Sequence, residues 1–233
     1  MSPRASADVS TNGAVKPEAG KRRRVHQSTP ENERAILEAV LQLAVKVGYE
    51  GTTMAEVARV AGLPIGSVYW HFENKEGLFA ALIDYCFEHW KTRHRGPENR
   101  AILRTSIAGS AANSANPENA HEAFWIIGLL FALEKRLAGN AARQKYLEVR
   151  EEMYELMVEA VTPGLPAAAL SAKPDLARKV VMLGRALTDG FYISASAGDE
   201  IDFAEAAELS ALAMEKLVQH YADLGASADA DQP

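Results

Sequence analysis

The stretch TTMAEVARVAGLPIGSVYWHFENKEGLFAAL, Thr52 to Leu82, decides the reading of this 233-residue chain. Thr53 is followed three residues on by Glu56, the spacing of a capping box, and Gly62 stands where a short helix must stop. A helix of about two turns fits between them. A tight Gly62-Leu63-Pro64 connection leads into a second short segment, about 65–71. Asn74 then caps a long helix running to roughly Arg95, with Phe79, Leu82, Ile83, Cys86 and Trp90 along one side. Two short helices joined by a three- or four-residue turn containing Gly form a helix-turn-helix. Pro64 can begin the second helix, but its side chain cannot cap it.

Helical spacing also sorts the aromatic row at 69–72. Val68 and Phe72 are four apart and apolar, so they point inward, onto the first helix and Ala58. Tyr69, Trp70 and His71 are left for the outer and lateral faces, where their polar tips can donate to phosphate oxygens. A two-turn helix fits a DNA major groove, its N-terminal residues meeting base edges and its flanks touching phosphates. The competing reading has Tyr69 and Trp70 completing the small domain's core. Ile65, if it faces the groove, can pack on a thymine methyl, while Gly66 either admits a close backbone approach or serves as a turn residue.

Outward from this segment, Thr29-Pro30 supplies a cap and a first-turn proline, and Ile36, Val40, Leu43, Ala44 and Val47 repeat at helical spacing until Gly48. That predicts a first helix over about 30–47. Residues 1–27 lack apolar periodicity and close on the basic run Lys21 to Arg24, a solvated tail or an arm for nucleic-acid phosphates. From Gly96 onward every periodic segment is helical, with helices expected at about 98–113, 118–138, 140–161, 174–197 and 202–224, and the last residues frayed. The fold class is all-α, organised as a tail at 1–27, a helix-turn-helix domain at 28–75, a connecting helix at 76–95 and a second helical domain at 96–225.

Charge divides along the same line. Residues 1–95 carry 13 Lys/Arg against 11 Asp/Glu, and residues 96–233 carry 12 against 20, which suits a polyanion at the front end only. The single cysteine, Cys86, excludes an internal disulfide and suits a reducing cytoplasm; on the apolar face of its helix it reads as inert core or as a thiol sensor. The apolar run Ala123 to Leu133 is too short to cross a membrane and reads as a buried helix, and no secretory leader is expected. No phosphate-binding glycine loop, paired-cysteine motif or closely spaced histidine pair appears, so neither catalysis nor a metal or other cofactor is expected.

Residues 52–82 resemble the DNA-binding segment of the tetracycline repressor (TetR) family. Its members typically show paired threonines, a short helix with Ile/Val-Ala and Ala-Gly, then a short helix ending in Tyr-x-His/Tyr-Phe and followed by a lysine and a leucine. This chain offers Thr52-Thr53, Val57-Ala58, Ala61-Gly62, Gly66-Ser67, Tyr69-Trp70-His71-Phe72, Lys75 and Leu78. The resemblance covers about 50 residues with the first helix, and LTDGFYISASAGD at 187–199 is similar to the family's penultimate helix. It implies phosphate contacts from Thr53, Ser67, Tyr69, His71 and Lys75 and base-facing positions at Ile65, Gly66 and Trp70. Many members have Ser where this chain has Pro64, so the usual cap bond is missing here.

The second domain would then sense and dimerise. Phe124, Trp125 and Phe131 read either as core or, with His121, Tyr146 and Tyr154, as the lining of a pocket for an apolar or aromatic effector. The last two helices mix small residues with Leu187, Phe191, Phe203, Met214, Leu217 and Tyr221, a pattern that serves either a four-helix homodimer interface or packing within one chain. The expectation is a cytoplasmic homodimeric repressor that binds a palindromic DNA operator and is released by a small molecule. The alternatives are an architectural DNA-binding protein without effector and a small-molecule-binding helical protein with a vestigial helix-turn-helix.

Overall fold

The computed structural model describes residues 30–94 and 120–230. Among them the chain forms nine α-helices and no strand. The basic tail and the helix expected at 98–113 lie outside the described residues.

Helix α1 (Pro30–Gly51) is continuous to Val47, where Gly48 takes φ 69 and ψ −174 and turns the chain through one last loop of helix that carries Tyr49 and Glu50. Thr52 is buried there, its hydroxyl donating to the Gly48 carbonyl at 2.7 Å. Helix α2 (Met54–Ala61) starts on Thr53, whose Oγ1 accepts the Glu56 N–H at 3.2 Å. Only this half of the expected capping box forms, because the Glu56 carboxylate pairs with Arg59 instead. Gly62 ends α2 at φ 68, in the left-handed region that favours glycine, and the Leu63 N–H closes back on Ala58 O at 3.0 Å. Helix α3 (Ile65–His71) begins on Pro64 with no side-chain cap. Helix α4 (Lys75–His94) begins where Asn74 Oδ1 accepts the Gly77 N–H at 2.9 Å.

These four helices close on Ile36, Val40, Val57, Val68, Leu78, Phe79 and Leu82, all fully buried. The far side of α4, with Ile83, Cys86, Phe87 and Trp90, continues without a break into the core of the second domain. No gap in packing therefore marks the boundary set at residue 75.

Helix α5 (Ala120–Leu133) packs on α1 and α4, and α6 (Ala141–Val161) runs beside α4. The helix expected over 118–138 breaks earlier. At Glu134 the backbone turns extended and its carboxylate accepts the Arg136 N–H, which starts a 3₁₀ turn at Lys135–Leu137. Asn140 caps α6, its Oδ1 accepting the Ala142 N–H at 2.9 Å. Pairs along α4 and α6 rise together, with Glu76 on the Ala141 N–H at 3.1 Å, Asp84 with Lys145 at 3.6 Å and Lys91 with Glu152 at 3.8 Å, so the two helices run in the same direction.

The segment between Pro163 and Pro174, expected as a loop, contains helix α7 (Ala167–Ala172), which the alanine-rich run after Pro166 supports. Helix α8 (Leu176–Ala197) ends on Gly198 at φ 100, and α9 (Phe203–Ala230) continues through residues expected to fray. Helix α9 lies across α7 and α8.

Candidate nucleic-acid interface

Helix α3 is held by one side. Val68 is 0% exposed and Phe72 is buried, whereas Ile65 is 46%, Tyr69 52% and Trp70 69% exposed. Gly66 is exposed beside them, and Ser67 and His71 are half-buried on the flanks. The Trp70 and His71 rings meet edge to face at 4.9 Å, so the indole is braced while its outer face stays open. Thr53 stands exposed at the start of α2; its oxygen accepts the cap bond, which leaves the hydroxyl proton to donate outward.

Lys75 is placed differently from the expected free phosphate anchor. Its ammonium lies 4.2 Å from the centroid of the Tyr49 ring, donates to the Glu50 carbonyl at 3.3 Å and stands 3.9 Å from the Glu50 carboxylate. Three acceptors at the end of α1 surround one cation, so its first role is to tie α4 to α1.

Of the six residues expected to line an effector pocket, three come together. Phe124 lies 5.8 Å from Trp125 and 5.9 Å from Tyr146, ring to ring, all buried where α5 meets α6. Gly128 makes this possible, since a Cβ there would overlap the Tyr146 ring. Phe131 belongs elsewhere, against Tyr49 at 5.3 Å and Phe79 at 6.0 Å. Tyr154 faces α8, donating to Arg178 O at 2.9 Å beneath the Arg178 and Arg185 guanidiniums. The side chain of His121 lies outside the described residues.

Sequence reasoning missed three members of this cluster. Tyr192 stacks on Trp125 at 6.1 Å, and Arg150 donates to Tyr146 Oη at 2.9 Å while pairing with Asp189 across α6 and α8. A charged Arg150 four residues after Tyr146, and an Asp189 three before Tyr192, were the available signals. Burial alone would lower the Arg150 pKa, yet Asp189 and Tyr146 outweigh it and raise it. Burial likewise pushes the Tyr146 phenol up. Trp125 Nε1 is buried without a hydrogen-bond partner among the described residues. Cys86 is 1% exposed and burial pushes its thiol up to about 12, the setting of a core thiol and not of a reactive one. No group of acidic, histidine or cysteine side chains among the described residues could hold a metal ion, and no described helix is long and apolar enough to cross a membrane.

The side chains expected at a dimer interface mostly face inward. Met214 is buried, Leu217 and Tyr221 pack on the core, Leu187 is half-buried, Phe191 covers Ala206 and Ala207, and Phe203 rests on Tyr192 at 5.6 Å. The open apolar face is formed by Met182 and Ile193 on α8 and by Leu209, Leu212 and Leu224 on α9. Apolar side chains lie on both the buried and the exposed sides of these helices, and spacing alone does not tell the inner side from the outer.

A two-turn helix anchored inward and bare outward, reached through a capped helix and mounted on an all-helical body, defines a helix-turn-helix protein. Residues 36–82 match the family described as bacterial regulatory proteins, tetR family. Over that stretch the chain is similar to the tetR family. It is 39% identical over 66 residues to the HTH-type transcriptional regulator TtgR of Pseudomonas putida, covering 28% of this chain and 31% of that one. It is 36% identical over 73 residues to the HTH-type transcriptional repressor KstR of Rhodococcus jostii, covering 31% and 34%. The matched region thus spans about a third of these curated relatives. The likeness in fold extends much further. A TetR-family regulator from a Rhodococcus species superposes with a TM-score of 0.60 at 20% identity, covering 82% of this chain and all of that one. FadR from Bacillus subtilis, solved with stearoyl-CoA, superposes at 0.56 and 17% identity over 79% and 97%.

Proposed function

We propose that this chain is a cytoplasmic, DNA-binding transcriptional repressor that acts as a homodimer on a palindromic operator and is released by a small molecule. The observation that carries it is the outer face of α3, where Ile65, Tyr69 and Trp70 are each about half exposed or more while Val68 is fully buried. Monomeric proteins leave large side chains bare singly, whereas three on one short helix form a contact surface. In this reading Ile65, Gly66 and Trp70 meet base edges. Thr53, Ser67, Tyr69 and His71 reach phosphates, and Lys75 joins them from its place beside Glu50.

The apolar faces of α8 and α9 support pairing of two chains around a two-fold axis, which sets the two α3 helices on one side of a duplex. The effector reading rests on Phe124, Trp125, Tyr146 and Tyr192, an aromatic cluster with an unsatisfied indole donor. It suits a ligand with an apolar or aromatic body and one hydrogen-bond acceptor. The acyl-coenzyme A in the FadR structure has both.

Selection from a pool of random duplexes by the full-length protein tests the reading. The expected product is a two-fold-symmetric sequence with half-sites about 10 base pairs apart, or a wider separation fixed by the dimer. Recovery of no preferred sequence, or of single unpaired half-sites, overturns it.

A further inference from the structure

The chain enters the helix-turn-helix at Tyr49 and leaves it at Glu76, and both residues are bonded to the same point of the second domain. Tyr49 Oη accepts from Asn140 Nδ2 at 2.9 Å, and Glu76 Oε2 accepts the Ala141 N–H at 3.1 Å. Asn140 is buried and also caps α6 through its other side-chain atom. The first turn of α6 therefore has its free N–H groups satisfied partly by its own domain and partly by the DNA-facing one.

These contacts have a geometry that packing alone does not require. Tyr49 already stacks against Phe79 at 4.8 Å and Phe131 at 5.3 Å, and Lys75 covers its remaining face. The rings would hold the two domains together without any hydrogen bond. Apolar contacts are non-directional, however, and leave a small rotation of one domain on the other nearly free. Two directional bonds at either end of residues 50–75 remove that rotation, because tilting the motif about one bond stretches the other.

We propose that Tyr49, Glu76 and Asn140 are positioning residues that set the angle of α3 relative to the second domain, and so fix the half-site spacing that a dimer accepts. This rests on the DNA-binding reading above. Base preference belongs to the outward face of α3, and spacing belongs to this joint at the opposite end of the motif. Five and ten residues beyond Asn140, α6 carries Lys145, paired with Asp84 on α4, and Arg150, bonded to Tyr146 and Asp189. A shift of α6 is thus passed to both ends of the helix-turn-helix at once.

The test pairs Tyr49→Phe with Glu76→Ala in the full chain. The phenylalanine keeps every ring contact, and the alanine removes the acceptor from the Ala141 N–H. Each bond at ordinary strength is about fivefold in an equilibrium. The double variant is expected to lose about fivefold or more of the parent's preference for its selected half-site spacing over spacings one base pair longer or shorter. Base preference within a half-site should be unchanged. Glu76→Gln alone, which keeps an acceptor and leaves the Tyr49 bond in place, should behave as the parent does. A merely structural role would lower affinity for every spacing equally. As a readout free of DNA, spin labels at Glu73→Cys and Glu159→Cys, diluted with unlabelled chain, should give one narrow distance in the parent background and a broader or shifted one in the double variant. Unchanged spacing preference and an unchanged distance distribution overturn the proposal. A parent that selects no duplex overturns the DNA-binding reading, and the spacing claim with it.

Discussion

Two positions on α3, Val68 and Trp70, should part company when each is cut to alanine. Val68 is fully buried, and Val68→Ala removes two methyl groups from the joint between α3 and the helices beneath it. At about 0.8 kcal/mol for each buried carbon, with a similar increment for the space left behind, the loss is about 2–3 kcal/mol. In a chain of this size that lowers the melting temperature by roughly 5–10 °C. Trp70 is 69% exposed, and among the described residues its only ring contact is with His71. Trp70→Ala removes little buried area and places a better helix former in the helix, so stability should stay within about 0.5 kcal/mol of the parent. Operator affinity should nonetheless fall on the order of tenfold or more, as for an aromatic anchor of an interface. Urea unfolding and fluorescence anisotropy with a selected duplex measure both quantities on the same preparations. If Trp70→Ala destabilises as Val68→Ala does, the indole is core. If it leaves both quantities untouched, α3 meets its target by another face.

Other substitutions separate the remaining roles. Ile65→Ala should change preference at a single operator position by about 1 kcal/mol and leave the salt dependence alone, whereas Lys75→Ala should weaken all duplexes and reduce the salt slope by about one unit for each phosphate no longer neutralised. A titration of operator and scrambled duplex across salt concentrations distinguishes them. Leu212→Glu, on the open face of α9, should give a folded monomer by sedimentation, because a dimer would bury an unpaired charge. Met214→Glu, two residues on but buried, should instead unfold the chain. The Cys86 thiol, raised from 9.0 to about 12, favours the protonated form in the folded state. Its stabilising contribution is complete below pH 9 and is lost between pH 9 and 12, at up to about 1.4 kcal/mol per pH unit. Cys86→Ala should flatten that stretch of the stability curve in chemical unfolding.

The sequence was most legible where structure is decided locally. Thr53, Gly62 and Asn74 cap or stop helices through bonds spanning three to five residues, so the helix-turn-helix could be placed almost to the residue. The orientation of α3 followed from the period of Val68 and Phe72. Legibility failed where a residue's partner lies far along the chain. Tyr49 and Asn140 are 91 positions apart, and nothing near either announces the other. Phe131 looked like its neighbours Phe124 and Trp125, yet a turn or two of helix carries it from the aromatic cluster to the domain joint. On α8 and α9 the spacing marks an apolar band without telling which of its sides faces the core. The apolar band was real, and only the position of α7 and the core reveals which edge of it remains uncovered.

The proline at the head of α3 bears on timing as well as shape. A seven-residue helix has few internal backbone bonds, and this one starts with a Ser67 N–H bonded to Pro64 O at 2.8 Å and no side chain closing its first turn. Its cohesion comes from Val68 and Phe72 below. Local opening of α3 therefore costs far less than opening α4, whose apolar side chains enter both halves of the core. Its amides should exchange with solvent ahead of the rest of the motif, and under the proposed function a docked duplex should slow that exchange most, as hydrogen exchange read by mass spectrometry would measure. Under the proposed function, part of the affinity for DNA would go to holding two turns of helix closed, so that a poor sequence leaves quickly while a good one keeps the segment ordered.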